Sequence, residues 1–261
     1  MNSVNKTLYI PLYGKALVSQ KGVILTDKKA EEIWEKAGFP LNGKAKSKWL
    51  AYYMGMRSAV FDAWVQEKIT ENGDSVVLHL GCGLDSRIAR IGAKDTTWYD
   101  VDFEAVINER RRYYEETANY RMLAADIKDS AFLQTLPNAK RAIMILEGVS
   151  MYLSNAELKQ MLKNLNDKFS HLSVLMDCYT PFAAKMSKIK NPVRGVGVTT
   201  VYGIENPQKI VKDMGLKFIK EHELTPQYLI DQLQGCERRL FKTLYAGKTS
   251  KKLYKLYEYE S

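Results

Sequence analysis

A Gly-x-Gly loop, Gly81-Cys82-Gly83, directly follows the apolar run 76–80 and precedes a short segment with helical character. Glycine lets a backbone take conformations that are closed to other residues and approach a ligand closely. A helix that begins after such a loop presents its unpaired N–H groups to the same ligand. Many α/β domains turn from strand to helix on glycine without binding anything, so the loop is informative only together with its neighbours.

Acidic residues end the next three apolar runs of strand length. Asp102 closes the second run, Asp126 the third and Glu147 the fourth, and Asp100 lies two residues before Asp102. In an open parallel sheet the carboxyl ends of the strands line the ligand crevice, so these carboxylates are expected near the glycine loop. Asp102 lies where nucleotide-binding folds carry a ribose-binding carboxylate, and Asp100 is the second candidate for that role. Helix capping is the alternative role for Asp102 and Asp126, but their shared register favours ligand binding.

Four ordered segments together resemble the motifs of the leucine carboxyl methyltransferase family. They are 81–87 (GCGLDSR), 99–103 (YDVDF), 125–127 (ADI) and 147–153 (EGVSMYL). The similarity is greatest to the bacterial branch, often described as O-methyltransferases of polyketide biosynthesis, and runs from about residue 7 to residue 207. It implies an α/β class I methyltransferase, Rossmann-like fold: a seven-stranded, mostly parallel sheet with helices on both faces and an N-terminal helical lid. It also implies S-adenosylmethionine as the methyl donor and S-adenosylhomocysteine as the product.

The resemblance also implies which residues bind the cofactor. Arg57 lies in a segment similar to the family's Arg-Thr-x-x-x-Asp pattern, in which the arginine binds the carboxylate of S-adenosylmethionine, as suits a planar bidentate donor. Lys15 lies where a family lysine meets the same carboxylate. Glu147 would anchor the methionine ammonium group or a nearby water network. The remaining predicted cofactor residues are Gly81, Cys82 and Gly83 in the loop, Asp102 at the ribose hydroxyls, and Asp126 with the Ile127 backbone at the adenine edge.

The methyl acceptor is less well defined by the sequence. Tyr152, Tyr179 and Tyr202 are the candidate pocket residues, and no general base is assigned. Segment 201–207 resembles the family's Trp-Gly-x-x-Asp-Pro element, with Tyr202 in place of the tryptophan, which leaves the acceptor open. A carboxylate acceptor would need no base, whereas a phenol or alcohol would benefit from one.

The 261 residues fit one S-adenosylmethionine-dependent methyltransferase domain, 1–261, with a helical lid at 1–70 and an irregular insertion at 181–203. Asp27 is expected to open a helix, and Ser154 with Glu157 forms a capping box for another. A further helix is predicted over 104–117. The aromatic segment 252–259 is predicted to close the sheet as its last strand.

Composition narrows the function classes. The chain has 39 Lys and Arg against 30 Asp and Glu, a net charge of +9, which would suit an anionic partner such as nucleic acid or an acidic small molecule. These charges are scattered, so a solvated basic surface is favoured over an RNA groove and no nucleic-acid partner is expected. No apolar run has membrane-spanning length and no signal-peptide pattern begins the chain, so no membrane association is expected. The three cysteines lack metal-ligand spacing, so we expect no metal and a cytoplasmic location.

The sequence therefore predicts an S-adenosylmethionine-dependent O-methyltransferase that acts on a hydroxyl or carboxyl of a small molecule. Two alternatives stay open, namely an RNA or protein methyltransferase and a non-catalytic S-adenosylmethionine-binding protein. The oligomeric state is not predicted.

Overall fold

A computed structural model of the chain describes residues 8–41, 43–93, 95–187, 200–247 and 250–261. Within them, seven strands form one sheet in the order β3-β2-β1-β4-β5-β7-β6. Strands β1 to β5 are parallel, and β7 runs antiparallel between β5 and β6. The predicted seven-stranded, mostly parallel sheet is confirmed. The strands are β1 Val76–Leu80, β2 Trp98–Asp102, β3 Tyr120–Ala124, β4 Arg141–Leu146, β5 His171–Tyr179, β6 Lys217–His222 and β7 Tyr254–Glu260.

Helices cover both faces of the sheet. Alternate residues of β1 show this, because Val77 belongs to one apolar core while Leu78 and Leu80 belong to the core on the other face. The helices are α1 Tyr9–Gln20, α2 Lys28–Ala37, α3 Lys48–Glu71, α4 Arg87–Ile91, α5 Glu104–Arg110, α6 Asn155–Lys168, α7 Pro181–Ser187, α8 Pro207–Ile210, α9 Gln227–Ile230 and α10 Gly235–Tyr245. Among the described residues, no helix combines the length and apolar character needed to cross a membrane.

The predicted helix starts agree with the structure at two capped positions. Asp27 accepts a hydrogen bond from the Ala30 N–H at 2.8 Å, which begins α2. Ser154 and Glu157 form the reciprocal capping box that begins α6. Both caps satisfy backbone donors that the first helical turn leaves unpaired.

Two predicted segments differ from the structure. The helix predicted over 104–117 ends at Arg110, because the following N–H groups of Arg112 and Tyr113 donate to carbonyls three residues back, those of Glu109 and Arg110, and so form turns in place of the helical pattern. The first part of the predicted insertion 181–203 is helical, as α7, and residues 188–199 of it lie outside the described residues.

The strand order places a topological switch point between β1 and β4. The chain leaves β1 toward β2 on one side and leaves β4 toward β5 on the other, so the loops after β1 and β4 separate and leave a crevice between them. The glycine loop follows β1, and Glu147 follows β4. The fold therefore brings these two sequence motifs together, with α1 and α3 packed over them.

Candidate functional site

A cavity of about 480 Å³ opens at the switch point. This volume is within the usual range for small-molecule sites. Its lining combines charged side chains, which we call the charged end, with apolar and aromatic ones, and the two sets meet where Arg57 contacts Tyr254. The charged end includes Lys15, Arg57, Asp85 and Glu147 beside the loop 81–83, and the other end includes Tyr53, Met54, Met151, Tyr152, Tyr179, Leu244, Tyr245, Leu253 and Tyr254.

The glycine loop has the left-handed backbone that its composition suggested. Gly81 has φ of 68° and Gly83 has φ of 54°, a region that residues with a side chain rarely adopt. A Cβ atom at Gly81 would lie 2.3 Å from Cγ2 of Val149, so the loops after β1 and β4 are in close contact. Cys82 between the glycines is buried, which raises the pKa of its thiol well above the ordinary value. All three loop residues line the cavity.

Lys15 reaches the cavity from α1. Its side chain is buried, and its Nζ lies 2.6 Å from Oδ2 of Asp85, which follows the glycine loop in sequence. Asp85 also accepts a hydrogen bond from the Arg87 backbone N–H at 2.7 Å, at the start of α4. The ion pair therefore ties α1 to the segment that joins the glycine loop to α4.

Arg57 lies on α3 and is only 4% exposed. Its Nε donates to Oε1 of Glu147 at 3.0 Å, and its Nη1 donates to Oδ2 of Asp177 at 2.9 Å. Nη1 also lies 3.2 Å from the Tyr254 hydroxyl. The guanidinium is thus held between carboxylates that follow β4 and end β5, and it lines the cavity.

Glu147 accepts hydrogen bonds from side chains of both α3 and α4. It accepts hydrogen bonds from Arg57, from the Ser58 hydroxyl at 2.9 Å and from the guanidinium of Arg87. Burial raises the pKa of its carboxyl, but Arg57 and Arg87 outweigh burial and lower that pKa to about 2. Glu147 is therefore a charged carboxylate at neutral pH.

A buried ion network continues beneath the site. Arg87 donates from Nε to Asp62 at 2.7 Å, and its Nη1 lies 3.4 Å from Nε2 of His79. The other ring nitrogen of His79 lies 3.2 Å from Asp100, which also pairs with Arg110. Asp100, the alternative ribose ligand, therefore faces the protein interior.

The other predicted cofactor residues lie at the edge of the site. Asp102 accepts hydrogen bonds from the backbone N–H groups of Gly83 and Phe103, each at 2.8 Å, and burial raises the pKa of its carboxyl. Asp126 accepts from the Lys128 N–H at 3.0 Å, and Ile127 packs in an apolar core. Asp102, Asp126 and Ile127 are outside the cavity lining found among the described residues, and their ligand roles stay predictions.

The three predicted acceptor-pocket tyrosines have different positions. Tyr152 and Tyr179 line the cavity, and burial raises the pKa of Tyr152 to about 12. The Tyr179 ring packs edge-on against Tyr254, with 5.1 Å between centroids. Tyr202 is 39% exposed, and its N–H donates to the Met151 carbonyl at 2.8 Å. Within the described part of the chain Tyr202 is not a lining residue, so its role stays a prediction.

Asp177, Tyr254 and Asp85 were not predicted from the sequence. Asp177 had a local signal, since it is an acid near the carboxyl end of a mostly apolar strand. Asp85 lay inside the recognised loop motif but carried no assigned role. Tyr254 lies 197 residues from Arg57 in sequence, and no local pattern indicates that the two meet.

The network around Glu147 predicts an acid-sensitive stability. A carboxyl whose pKa is lowered in the folded state stabilises that state above its ordinary pKa of 4.5 and loses this contribution as pH falls toward 2. The loss for Glu147 is roughly 3 kcal/mol at about 1.4 kcal/mol per pKa unit. Denaturant unfolding of wild type and Glu147→Gln between pH 6 and pH 2.5 measures it, and the variant should show the weaker dependence. Equal pH dependence of the two proteins would contradict this assignment. Asp102, with a raised pKa, acts in the opposite direction in both proteins, whereas the pKa of Asp177 is raised in part by Glu147 and should fall in the variant.

One family model and two related proteins match most of the chain. The family model described as leucine carboxyl methyltransferase matches residues 3–166. The tetracenomycin polyketide synthesis O-methyltransferase TcmP of Streptomyces glaucescens is 31% identical over 221 residues, which cover 84% of this chain and 82% of that protein. An S-adenosyl-L-methionine-dependent methyltransferase, dpfgK, of Gibberella zeae is 23% identical over 242 residues, 84% of this chain and 81% of that protein.

Solved structures share the fold. The magnesium protoporphyrin IX methyltransferase of Synechocystis PCC 6803, crystallised with bound SAH, superposes with a TM-score of 0.54 at 13% identity. The alignment covers 90% of this chain and 99% of that chain. The predicted class I methyltransferase fold is confirmed by this likeness together with the strand order.

Proposed function

Since the chain belongs to the leucine carboxyl methyltransferase family and is an S-adenosylmethionine-dependent methyltransferase, we propose that it methylates a hydroxyl or carboxyl oxygen of a small molecule. The observation that carries this proposal is that charged side chains and several tyrosines line the same cavity. The charged end suits the amino-acid part of the cofactor, and the aromatic end suits an acceptor of ring size. The name of the 31% identical relative, an O-methyltransferase of polyketide synthesis, supports oxygen as the methylated atom.

The charged end has the donors and acceptors that the amino-acid part of S-adenosylmethionine requires. Among the described residues, Nη2 of Arg57 has no hydrogen-bond partner, so it is available for the ligand carboxylate. Lys15 adds a second positive charge at the cavity wall. Glu147 is charged and can accept from the ligand ammonium group. We propose these three side chains as the site of the methionine moiety.

The ribose and adenine would lie over the edge formed by the ends of β2 and β3. Each oxygen of Asp102 accepts one backbone hydrogen bond, and a carboxylate has about four acceptor positions, so two remain for ribose hydroxyls. Asp126 and the Ile127 backbone are proposed for the adenine edge. The left-handed Gly81 and Gly83 let the backbone approach the cofactor at two positions that carry no side chain.

When bound, the cofactor supplies an already activated sulfonium methyl group. The protein then needs to align the acceptor oxygen with that methyl group and to exclude water, and alignment alone can lower a barrier by several kcal/mol. Tyr152 keeps its proton at neutral pH because the ordinary pKa of a tyrosine is about 10, so it can donate a hydrogen bond to the acceptor but is a poor base. This arrangement suits an acceptor that is already ionised, such as a carboxylate or an acidic phenol.

An acceptor panel tests the proposed reaction. Transfer of label from methyl-labelled S-adenosylmethionine would be measured for hydroxy-aromatic compounds, aromatic carboxylic acids, a peptide ending in leucine, and RNA. We expect label in the small-molecule fractions. Label only in the peptide or RNA would support the macromolecular alternatives, and cofactor binding without transfer to any acceptor would support a non-catalytic binding protein.

Replacing Asp102 with alanine is expected to weaken binding of S-adenosylmethionine about 10- to 100-fold, because charge-assisted hydrogen bonds contribute about 1.5–3 kcal/mol. The loss should be equal for 5′-methylthioadenosine, which keeps the ribose but lacks the amino-acid part. Calorimetric titration of both ligands measures it. Asp167→Ala, on the exposed face of α6, is the matched control and should bind normally. Unchanged affinity of the Asp102 variant would contradict the ribose assignment.

A further inference from the structure

Asp177 is a fully buried carboxylate at the carboxyl end of β5. Its two oxygens accept hydrogen bonds from three different elements. Oδ1 accepts from the Gly148 backbone N–H at 2.7 Å, in the loop after β4. Oδ2 accepts from Nη1 of Arg57 at 2.9 Å, on α3, and from the Tyr254 hydroxyl at 2.7 Å, on β7. Three walls of the cavity therefore meet at the Asp177 carboxylate.

We propose that Asp177 is a positioning residue that fixes the orientation of the Arg57 guanidinium toward the methionine carboxylate, an inference that rests on the function proposed above. Glu147 holds Arg57 only through Nε, and rotation about that contact would swing the other nitrogens. The second contact, from Nη1 to Asp177, stops this rotation and directs Nη2 to one place. A binding group needs to be held within about 0.5 Å of its working position, and a second fixed contact provides this.

Asp177 also fixes the backbone that carries Glu147. Gly148 has φ of 74°, and the Arg57 nitrogens Nη1 and Nη2 would each lie 3.5 Å from a Cβ atom at that position. The hydrogen bond from Gly148 to Asp177 holds this turn against the guanidinium. The positive and negative groups proposed for the cofactor's carboxylate and ammonium are thus set by the same side chain.

Tyr254 connects this arrangement to the acceptor end of the cavity. Its hydroxyl lies between Asp177 and Arg57, at 2.7 Å and 3.2 Å, while its ring packs against Tyr179. Tyr254 also lines a neighbouring cavity of about 200 Å³. We assign it a supporting role, because it donates one of the three hydrogen bonds that hold Asp177.

Asp177→Asn tests the proposal, since asparagine keeps the size but offers one acceptor oxygen instead of two. We expect binding of S-adenosylmethionine and S-adenosylhomocysteine to weaken about tenfold or more, as for loss of a charge-assisted contact. Binding of 5′-methylthioadenosine, which lacks the carboxylate, should change less than about twofold, within the usual additivity error. A general structural defect would weaken all three ligands alike. Asp167→Asn is the matched exposed control.

Tyr254→Phe provides a second variant if Asp177→Asn does not fold. Loss of one neutral donor to Asp177 should weaken S-adenosylmethionine binding about three- to tenfold and leave 5′-methylthioadenosine unchanged. Tyr257→Phe is its control, because Tyr257 lies on the same strand but packs in the core on the opposite face of the sheet.

A double-mutant cycle tests whether Asp177 affects cofactor binding through Arg57. If Asp177 acts through Arg57, adding Asp177→Asn to Arg57→Lys should weaken S-adenosylmethionine binding by less than about twofold further. The proposal would be overturned if Asp177→Asn weakened all three ligands equally, or if Asp177→Asn and Tyr254→Phe both bound S-adenosylmethionine with unchanged affinity. Full additivity of Asp177→Asn with Arg57→Lys would also overturn it. Failure of the wild-type protein to bind S-adenosylmethionine would instead contradict the proposed function, so the two failures are distinguishable.

Discussion

Replacing Arg57 with lysine is expected to weaken S-adenosylmethionine binding about 10- to 100-fold, because lysine keeps the charge but loses the planar set of donors. Arginine bonds Glu147 and Asp177 with Nε and Nη1, and among the described residues its Nη2 has no hydrogen-bond partner. A lysine ammonium cannot reach two carboxylates and a ligand in the same fixed geometry. Removing the charge altogether with Arg57→Ala should also destabilise the fold by about 3–5 kcal/mol, because buried Asp177 loses the arginine that pairs with it and buried Glu147 loses one of its two arginines.

Calorimetric titration and thermal unfolding together measure these two effects. Arg112→Lys is the matched control, since Arg112 is an exposed arginine that pairs with Glu109 away from the cavity lining. The control should bind S-adenosylmethionine as wild type does. If Arg57→Lys also bound normally, Arg57 would have a structural role only and the site of the methionine carboxylate would have to lie elsewhere.

Replacing Gly81 with alanine is expected to destabilise the fold by about 2–5 kcal/mol and to reduce cofactor binding below detection. Two independent costs combine, namely a left-handed backbone that disfavours a side chain and a collision with Val149. The new Cβ atom would lie 2.3 Å from Cγ2 of Val149, so the Val149 side chain would have to rotate or the loop after β4 would have to move. That loop carries Glu147 and Gly148, and movement there disturbs the charged end of the cavity.

The chain offers controls that separate the two costs. Gly22 has nearly the same backbone, with φ of 66°, but a Cβ atom added there would meet only open space, so Gly22→Ala reports the backbone cost alone. Adding Val149→Ala to Gly81→Ala should restore part of the stability by removing the collision. Unfolding free energies of these variants test the account. If Gly81→Ala and Gly22→Ala lost equal stability and both bound the cofactor, the close contact between the loops after β1 and β4 would contribute neither to stability nor to cofactor binding.

The sheet and the loop positions were predictable from local patterns. The apolar runs before the glycine loop and before Glu147 have strand length and end on residues that can bind ligands, and both form strands. Ser154 and Glu157 predicted a helix start through their spacing alone. The helix end at Arg110 was not predicted, because residues 111–117 contain no glycine or proline that would mark the turns that follow it.

The contacts that fix the site depend on residues far apart in sequence. Lys15 meets Asp85, and Arg57 meets both Asp177 and Tyr254, and each pair is joined only after the sheet and helices have packed. A single sequence contains no signal that relates such positions. The resemblance to a family could suggest that Arg57 binds the cofactor, but it did not indicate which side chains hold Arg57 in place.

Titration of the wild-type protein with S-adenosylmethionine and, separately, with S-adenosylhomocysteine tests the central claim most directly. We expect each to bind with a stoichiometry of about one, because both carry the carboxylate and ammonium groups that we propose the charged end of the cavity binds. We also expect weaker binding of 5′-methylthioadenosine, which lacks those groups. A well-folded protein that binds neither S-adenosylmethionine nor S-adenosylhomocysteine would contradict the account.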